Sequence, residues 1–376
     1  MNTGSVLKLA FVGDICLGMN WLQGNEQRNP DYPYAKIRHL LEGVDLAVGN
    51  LECCLVDETC SIASRTNRMA VPATFCAEGL RDAGFSVVNL ANNHILDCGS
   101  ESLEVTLSTL DKFSLLYFGA GRNSTEANRI VFAERHGYRM AFLGVGEASY
   151  YYAYGNRPGI ASLYDKELAG RIQEATQSAD LVIVSVHADI EFNPVPAPWR
   201  RRFSRWLVKQ GAHLVIQHHP HVLQGIEEYK GGLIAYSLGN FIFRVHGNPY
   251  QSQHIGVFDS LILRIDVNFI EGNPQFLWHV VPLRIAHDNR PKCLENEKKE
   301  QALVRFKEIS SWLSSFSKVR RIWHKRCRQE AVSQIFDLYY MLRRQGLRAV
   351  LNRLFRLIET PEHRNWVRGL LTFGFW

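Results

Sequence analysis

Short, nearly unbroken runs of Val, Ile, Leu and Ala alternate with helix-spaced apolar stretches from the start of the chain to Ile242. That alternation predicts successive βα units, with strands at 7–12, 46–48, 87–90, 139–145, 181–186, 214–217 and 233–236. Runs free of polar interruption are what strands covered on both faces require. Helical spacing predicts helices over 34–42, 77–83, 101–112, 166–175 and 198–210, and Gly211 follows the last where a left-handed cap is wanted. Two further strands are expected at 258–269 and 276–282. Beyond Lys292 the pattern turns helical, and the stretches 331–344 and 347–358 carry apolar residues at helix spacing with arginines opposite.

The polar exceptions fall at strand ends. Asp14 follows the first strand and Glu52 the second. Asn92, Asn93 and His94 follow the third, His187 the fifth, and His218, His219 and His221 the sixth. Open α/β sheets gather functional groups where strands end and loops begin, so these residues are expected on one shared rim. Core packing asks for no histidines or carboxylates there.

Composition changes the picture modestly. With 376 residues, 46% hydrophobic and 21% charged, the chain holds enough apolar material for a large core plus an appendage. The first eleven residues read as a strand leading to Gly13 and Asp14, not as a signal peptide. No apolar run reaches the roughly 20 residues that a bilayer-spanning helix needs. The eight cysteines include no Cys-x-x-Cys pair, which suggests reduced thiols in a cytoplasmic protein. Cys16, Cys53, Cys54 and Cys98 stand beside the polar motifs, so soft metal ligation is weighed against the plainer reading of small buried hydrophobes.

Charge divides the chain. Residues 291–376 hold 18 Lys and Arg against 8 Asp and Glu, while the preceding 290 hold 25 against 29. We therefore expect a domain at 6–245, additional strands completing it at 246–290, and a basic helical extension at 291–376. The extension admits three explanations: a cap on the domain, peripheral contact with acidic lipid at the inner membrane surface, or nucleic acid. Nucleic acid is the least favoured, because no aromatic platform accompanies the charge.

Asn, His and carboxylate groups from successive loops form a mixed nitrogen and oxygen donor set. Such a set suits Mn, Fe or Zn better than Ca or Mg. Its sharpest element is Gln217-His218-His219-Pro220-His221-Val222, where a proline stiffens the turn between two histidines. In Asn92-Asn93-His94 an amide oxygen can ligate, and His94 can give a proton or hold an anion with Asp97 fixing its tautomer; a helix cap is the competing explanation. Asp14 and Glu52 add the negative charge a cation requires. Arg68 and Arg122 are candidates for holding a substrate anion, beside the reading of solvated surface arginines. Asn240 either points at the site or serves a turn.

The order of these motifs resembles the capsule synthesis protein CapA family, whose domain looks related to calcineurin-like metallophosphoesterases. The likeness rests on Phe11-Val12-Gly13-Asp14, Gly49-Asn50-Leu51-Glu52, Leu90-Ala91-Asn92-Asn93-His94, Gly119-Ala120-Gly121-Arg122-Asn123, Val184-Ser185-Val186-His187, His218-His219-Pro220-His221-Val222-Leu223-Gln224-Gly225 and Ala235-Tyr236-Ser237-Leu238-Gly239-Asn240-Phe241. It covers about residues 6–245.

The resemblance implies an α/β fold, a metallophosphoesterase-like β-sandwich flanked by helices, with one or two divalent ions (Mn, Fe or Zn). It implies metal ligation by Asp14, Asn93, His187, His219 and His221, with Glu52 assigned the bridging charge. His94 would protonate a leaving oxygen or stabilise the transition state. Two departures stand out. The wider pattern has Asp-x-His where this chain has Cys16, and Gly-Asp where it has Gly49-Asn50.

Two functional readings follow. One is a metal-dependent hydrolase of a phosphoester or related anionic substrate in capsule, poly-γ-glutamate or other cell-surface polymer synthesis. The other is a non-catalytic binding or assembly component working with other capsule-synthesis proteins.

Overall fold

The computed structural model describes residues 6–18, 29–57, 69–348 and 350–351. In chain order the strands of the first half are β1 (Leu7–Ile15), β2 (Leu46–Leu51), β3 (Cys54–Val56), β4 (Ala70–Pro72), β5 (Phe85–Asn89), β6 (Leu116–Phe118), β7 (Ala120–Gly121), β8 (Val131–Arg135) and β9 (Tyr138–Gly146). Those of the second half are β10 (Gly159–Ile160), β11 (Leu181–His187), β12 (Leu214–His218), β13 (Ile226–Tyr229), β14 (Gly232–Ala235), β15 (Asn240–Ile242), β16 (Asp259–Ile270), β17 (Asn273–Ile285) and β18 (Pro291–Cys293). The helices are α1 (Ala73–Asp82), α2 (Ser100–Lys112), α3 (Ser124–Ala127), α4 (Leu168–Ser178), α5 (Pro198–Gln210), α6 (Pro249–Ser252), α7 (Asn296–Trp312) and α8 (Phe316–Gln345).

Two sheets face each other. The first runs β18-β17-β16-β1-β2-β5-β6, with β15 also beside β1; the second runs β13-β14-β12-β11-β9-β8. Period-two side-chain alternation explains why the strands are apolar throughout. In β1, Leu7, Leu9 and Phe11 enter the layer between the sheets, where Met140, Phe142, Leu181 and Ile183 meet them. Ala10 and Val12 of the same strand point the other way, into the layer shared with α1 and α2. On the far side, Val182, Val184 and Val186 of β11 pack with Ile172 of α4 and Leu207 of α5. The result is the expected sandwich flanked by helices. Gly211 ends α5 at φ 119°, in the left-handed region that favours glycine.

One expected helix is absent. Over 34–42 the chain makes successive turns and a single 3-10 stretch, Arg38–Leu40. Tyr34, Ile37 and Leu41 are buried at helical spacing, so the apolar signal was real. However, the N–H groups of Tyr34, Ile37 and Leu40 bond three residues back, to Asp31, Tyr34 and Ile37. Pro33 has no N–H to extend a ladder.

The strands β16 and β17 form a long antiparallel hairpin that widens the first sheet. α8 lays Val319, Trp323 and Cys327, spaced four apart, against the second sheet's helical layer. Trp323 meets Trp199 of α5 edge-on at 4.9 Å. Residues 331–344 fall within α8, while most of 347–358 lies outside the described residues. Among the described residues no helix is long and apolar enough to cross a membrane.

Candidate metal centre

Strand register assembles the site. Asn240, Asp14, Asn50 and Asn89 lie on one rung across β15, β1, β2 and β5, and all four are fully buried. On the facing sheet His187 pairs with His218 at the ends of β11 and β12. The pairing of β1 shifts register on both sides of Asp14, a local irregularity of the kind that re-aims a side chain. Gly13 is needed here, because a Cβ on it would sit 1.8 Å from the Gly239 carbonyl oxygen.

Backbone strain concentrates at the same place. His219 and His221, either side of Pro220, have φ of 100° and 55°, and Asp189 and Phe192 in the loop after β11 have 111° and 59°. Each such residue costs on the order of 1–3 kcal/mol and persists only where its surroundings over-determine it.

Glu52 is the hub. Its Oε1 lies 3.5 Å from His187 Nε2, 3.8 Å from His221 Nε2 and 3.9 Å from His94 Nε2. Both its carboxylate oxygens are buried without a hydrogen bond. Burial, then the charges of Asp14 and Glu191, push its carboxyl well above the ordinary range. Asp14 differs. Burial alone would raise it, but His218 at 3.2 Å, then His221 and the Asn50 amide, hold it below its usual value. Burial holds His219 down to about 4, so its imidazole is neutral and fit to ligate.

Three overlapping trios bring their donor atoms within 4.8 Å of one another: Glu52, His187 and His219; Glu191, His219 and His221; and Asp14, Glu52 and His221. A buried carboxylate with no partner is costly, and a cation among these groups removes that cost. The residues therefore fit a divalent ion.

The rings differ in what stands behind them. His221 Nδ1 is 2.9 Å from Asn240 Oδ1, while the Asn240 amide nitrogen donates to the Val257 carbonyl at 3.2 Å. Asn240 Oδ1 thus accepts, His221 Nδ1 carries the proton, and its Nε2 lone pair faces Glu52; ligating histidines are commonly oriented this way. His94 Nδ1 lies 2.8 Å from Asp97 Oδ2, and its Nε2 is 3.1 Å from the Asn93 amide nitrogen. Asn93 Oδ1 in turn is 2.8 Å from His187 Nε2.

Asp14, Glu52, Asn93, His94, His187, His219 and His221 are thus brought together. Two residues expected to contact substrate are engaged within the protein. Asn240 is wholly buried and spends its amide on His221 and neighbouring backbone, so it orients a histidine. Arg122 makes a two-pronged contact with Glu104, at 2.7 and 3.0 Å, and also reaches Glu126; its guanidinium is held by those carboxylates. Arg68 lies outside the described residues.

Cys16, where the wider pattern has a histidine, is buried with its thiol 3.2 Å from Met69 Sδ. No cysteine belongs to a metal-competent trio among the described residues. Sequence reading missed Glu191, His218 as the neighbour of Asp14, and the amide pair Asn50 and Asn89. Asp189 and Glu191 directly after His187 were the available signal for a carboxylate on that loop.

Residues 8–245 match the family model described as Bacterial capsule synthesis protein PGA_cap. The chain belongs to that family. It is 31% identical over 283 residues to the capsule biosynthesis protein CapA of Bacillus anthracis, covering 72% of this chain and 69% of the relative. It is 32% identical over 247 residues to the PGA biosynthesis protein CapA of Bacillus subtilis (strain 168), covering 63% of each. Among solved structures, the calcineurin-like phosphoesterase YfkN of Bacillus subtilis is similar at a TM-score of 0.46 and 13% identity, over 84% of this chain and 100% of that one. A hypothetical protein from Thermus thermophilus gives 0.46 and 16%, over 73% and 99%.

Proposed function

We propose that this PGA_cap-family chain is a metal-dependent hydrolase of a phosphoester or related anionic substrate, working in the synthesis or remodelling of capsule, poly-γ-glutamate or another cell-surface polymer. The observation that carries this reading is Glu52, a fully buried carboxylate without a hydrogen bond, faced by three imidazole Nε2 atoms within 3.9 Å. Asp14, Glu52 and His221 would hold the ion, with His219 beside them. When bound, a divalent transition ion (Mn, Fe or Zn) supplies activation of water and stabilisation of charge on a phosphoryl group.

The chain's own residues do the rest. His94 is the most open of the three rings facing Glu52, with its side chain 23% exposed against 2% for His187 and His221. Asp97 holds its Nδ1–H, so Nε2 is the atom that, once protonated, gives its proton to the leaving oxygen. Burial of Asp14, Glu52 and His221 excludes water from their side of the centre.

Metal analysis of purified protein, joined to a broad phosphoester panel after addition of Mn, Fe or Zn, tests the proposal. Bound metal and turnover are expected; neither metal nor turnover would end it. Cys16 packed against Met69 is the observation that favours the rival reading, a non-catalytic assembly component. Turnover that disappears in His94→Ala and Asp14→Asn removes that rival.

The extension adds a partner to the same reading. Between 316 and 329 it carries six Lys and Arg and no Asp or Glu, suited to peripheral contact with anionic lipid. Sedimentation with vesicles containing and lacking anionic lipid checks this; no difference between the two refutes it.

A further inference from the structure

We infer that the centre takes a single ion, on the side of Asp14, Glu52 and His221, and that the side-chain amide of Asn50 keeps a second ion out. The inference rests on the metal-dependent reading above and adds to it the number of ions and the residue that sets it.

One atom at the end of this network has no freedom of role. The backbone N–H of Ala91 can only donate, and it lies 3.2 Å from Asn89 Oδ1. Asn89 therefore presents its amide nitrogen to Asn50 Oδ1, at 2.8 Å. That contact turns the Asn50 nitrogen the other way, 2.8 Å from Asp14 Oδ1 and 3.1 Å from His187 Nδ1. An amide N–H2 group thus fills the gap between Asp14 and His187. It donates and offers no lone pair, so no ion can be ligated from position 50.

The same amide also disables His187. A neutral imidazole carries one proton, and with Nδ1 accepting from Asn50 that proton sits on Nε2. His187 Nε2 then donates to Asn93 Oδ1 at 2.8 Å, and the Asn93 nitrogen donates onward to His94 Nε2 at 3.1 Å. The last link is His94 Nδ1–H to Asp97 Oδ2 at 2.8 Å. From Ala91 to Asp97 each link pairs a donor with an acceptor, and no alternative direction satisfies both ends. A second ion between Asp14 and His187 would need an anionic group at position 50 and a lone pair on His187, and Asn50 withdraws both. The trio of Glu191, His219 and His221 shares its His221 with the first ion. His187 is accordingly a positioning residue that orients Asn93.

The test counts ions in the full chain reconstituted with Mn(II), by elemental analysis and electron paramagnetic resonance. One ion per chain with an uncoupled six-line spectrum is expected. Asn50→Asp would accept from His187 Nδ1–H, free Nε2 and supply the bridge, so the count is expected to rise to two with an exchange-coupled spectrum. Two ions in the wild-type chain overturn the inference while leaving the metal-dependent reading intact, as does Asn50→Asp protein that still takes one. No ion in the wild-type chain fails both together. The wild-type count decides the number of sites even where Asn50→Asp yields no folded protein.

Discussion

His221 and His187 face the same oxygen of Glu52, at 3.8 and 3.5 Å, and both rings are 2% exposed. They differ in one atom behind each ring. Behind His221 stands the carbonyl oxygen of Asn240; behind His187 stands the amide nitrogen of Asn50. The first leaves a lone pair on Nε2, and the second puts a proton there. Two histidines of equal burial and nearly equal distance thus receive opposite chemistry from the group that orients them.

The largest expected effect comes from removing the group both rings share. Glu52→Gln is expected to weaken metal binding by more than about 100-fold, beyond the range usual for outer-shell partners. The same change should stabilise the metal-free chain at neutral pH by roughly 1–3 kcal/mol, because a buried carboxyl that folding makes hard to ionise is gone. The pH dependence has a defined sign. A carboxyl whose folded-state pKa is raised contributes stability below its unfolded value, near 4.5, and loses it as pH rises through the folded value. Melting temperatures with chelator should therefore show the variant's advantage growing as pH increases above 4.5. A variant that binds metal normally, or a flat difference across pH, would break the claim that Glu52 is the hub.

Next comes the ring at the mouth. His94→Ala is expected to lower kcat by about 10²–10⁴, the usual range for a positioned proton donor, with metal content unchanged. Loss of metal together with activity would instead make His94 a ligand and remove the contrast between proton transfer and ligation.

Much of this arrangement was legible in the chain. Continuous apolar runs marked seven strands within a few residues of their ends, because burial on both faces leaves no room for polar interruption. Asp14, Glu52, Asn93, His187, His219 and His221 stood out because each follows such a run. What the chain could not display was direction. Whether Asn50 turns oxygen or nitrogen toward Asp14 depends on Asn89, which is 39 residues away and meets it only through the pairing of β2 with β5. The tie of Asn240 to His221 was hidden for the same reason, since it exists only after β15 pairs with β1. The turns at 34–42 failed differently: their burial pattern is helical, but most of their hydrogen bonds reach only three residues back.

A smaller effect is expected behind His221. Asn240→Ala removes the acceptor that fixes its tautomer and should cost about 10- to 100-fold in metal affinity. Asn240→Asp, which keeps an oxygen at that place, should recover most of it. Isothermal titration with Mn(II) reads both variants. If Asn240→Ala binds as tightly as the wild-type chain, the partner behind the ring does not set its role, and the comparison with His187 loses its basis.

The smallest expected effect lies outside both rings. Arg122 was a candidate for holding substrate, yet its guanidinium is committed to Glu104 and Glu126, and its side chain is 40% exposed. Burial holds only weakly there, and the Arg122 pair is what lowers Glu104 below its ordinary value. Exposed pairs of this kind contribute about 0–1 kcal/mol. Arg122→Ala should therefore leave KM and kcat within about threefold, and shift stability by no more than that small amount. A rise in KM well beyond threefold at unchanged kcat would show that substrate displaces Glu104 from the guanidinium. The anion would then be held from the first sheet's side of the centre, and the division of labour between the His221 and His187 sides would need a third member.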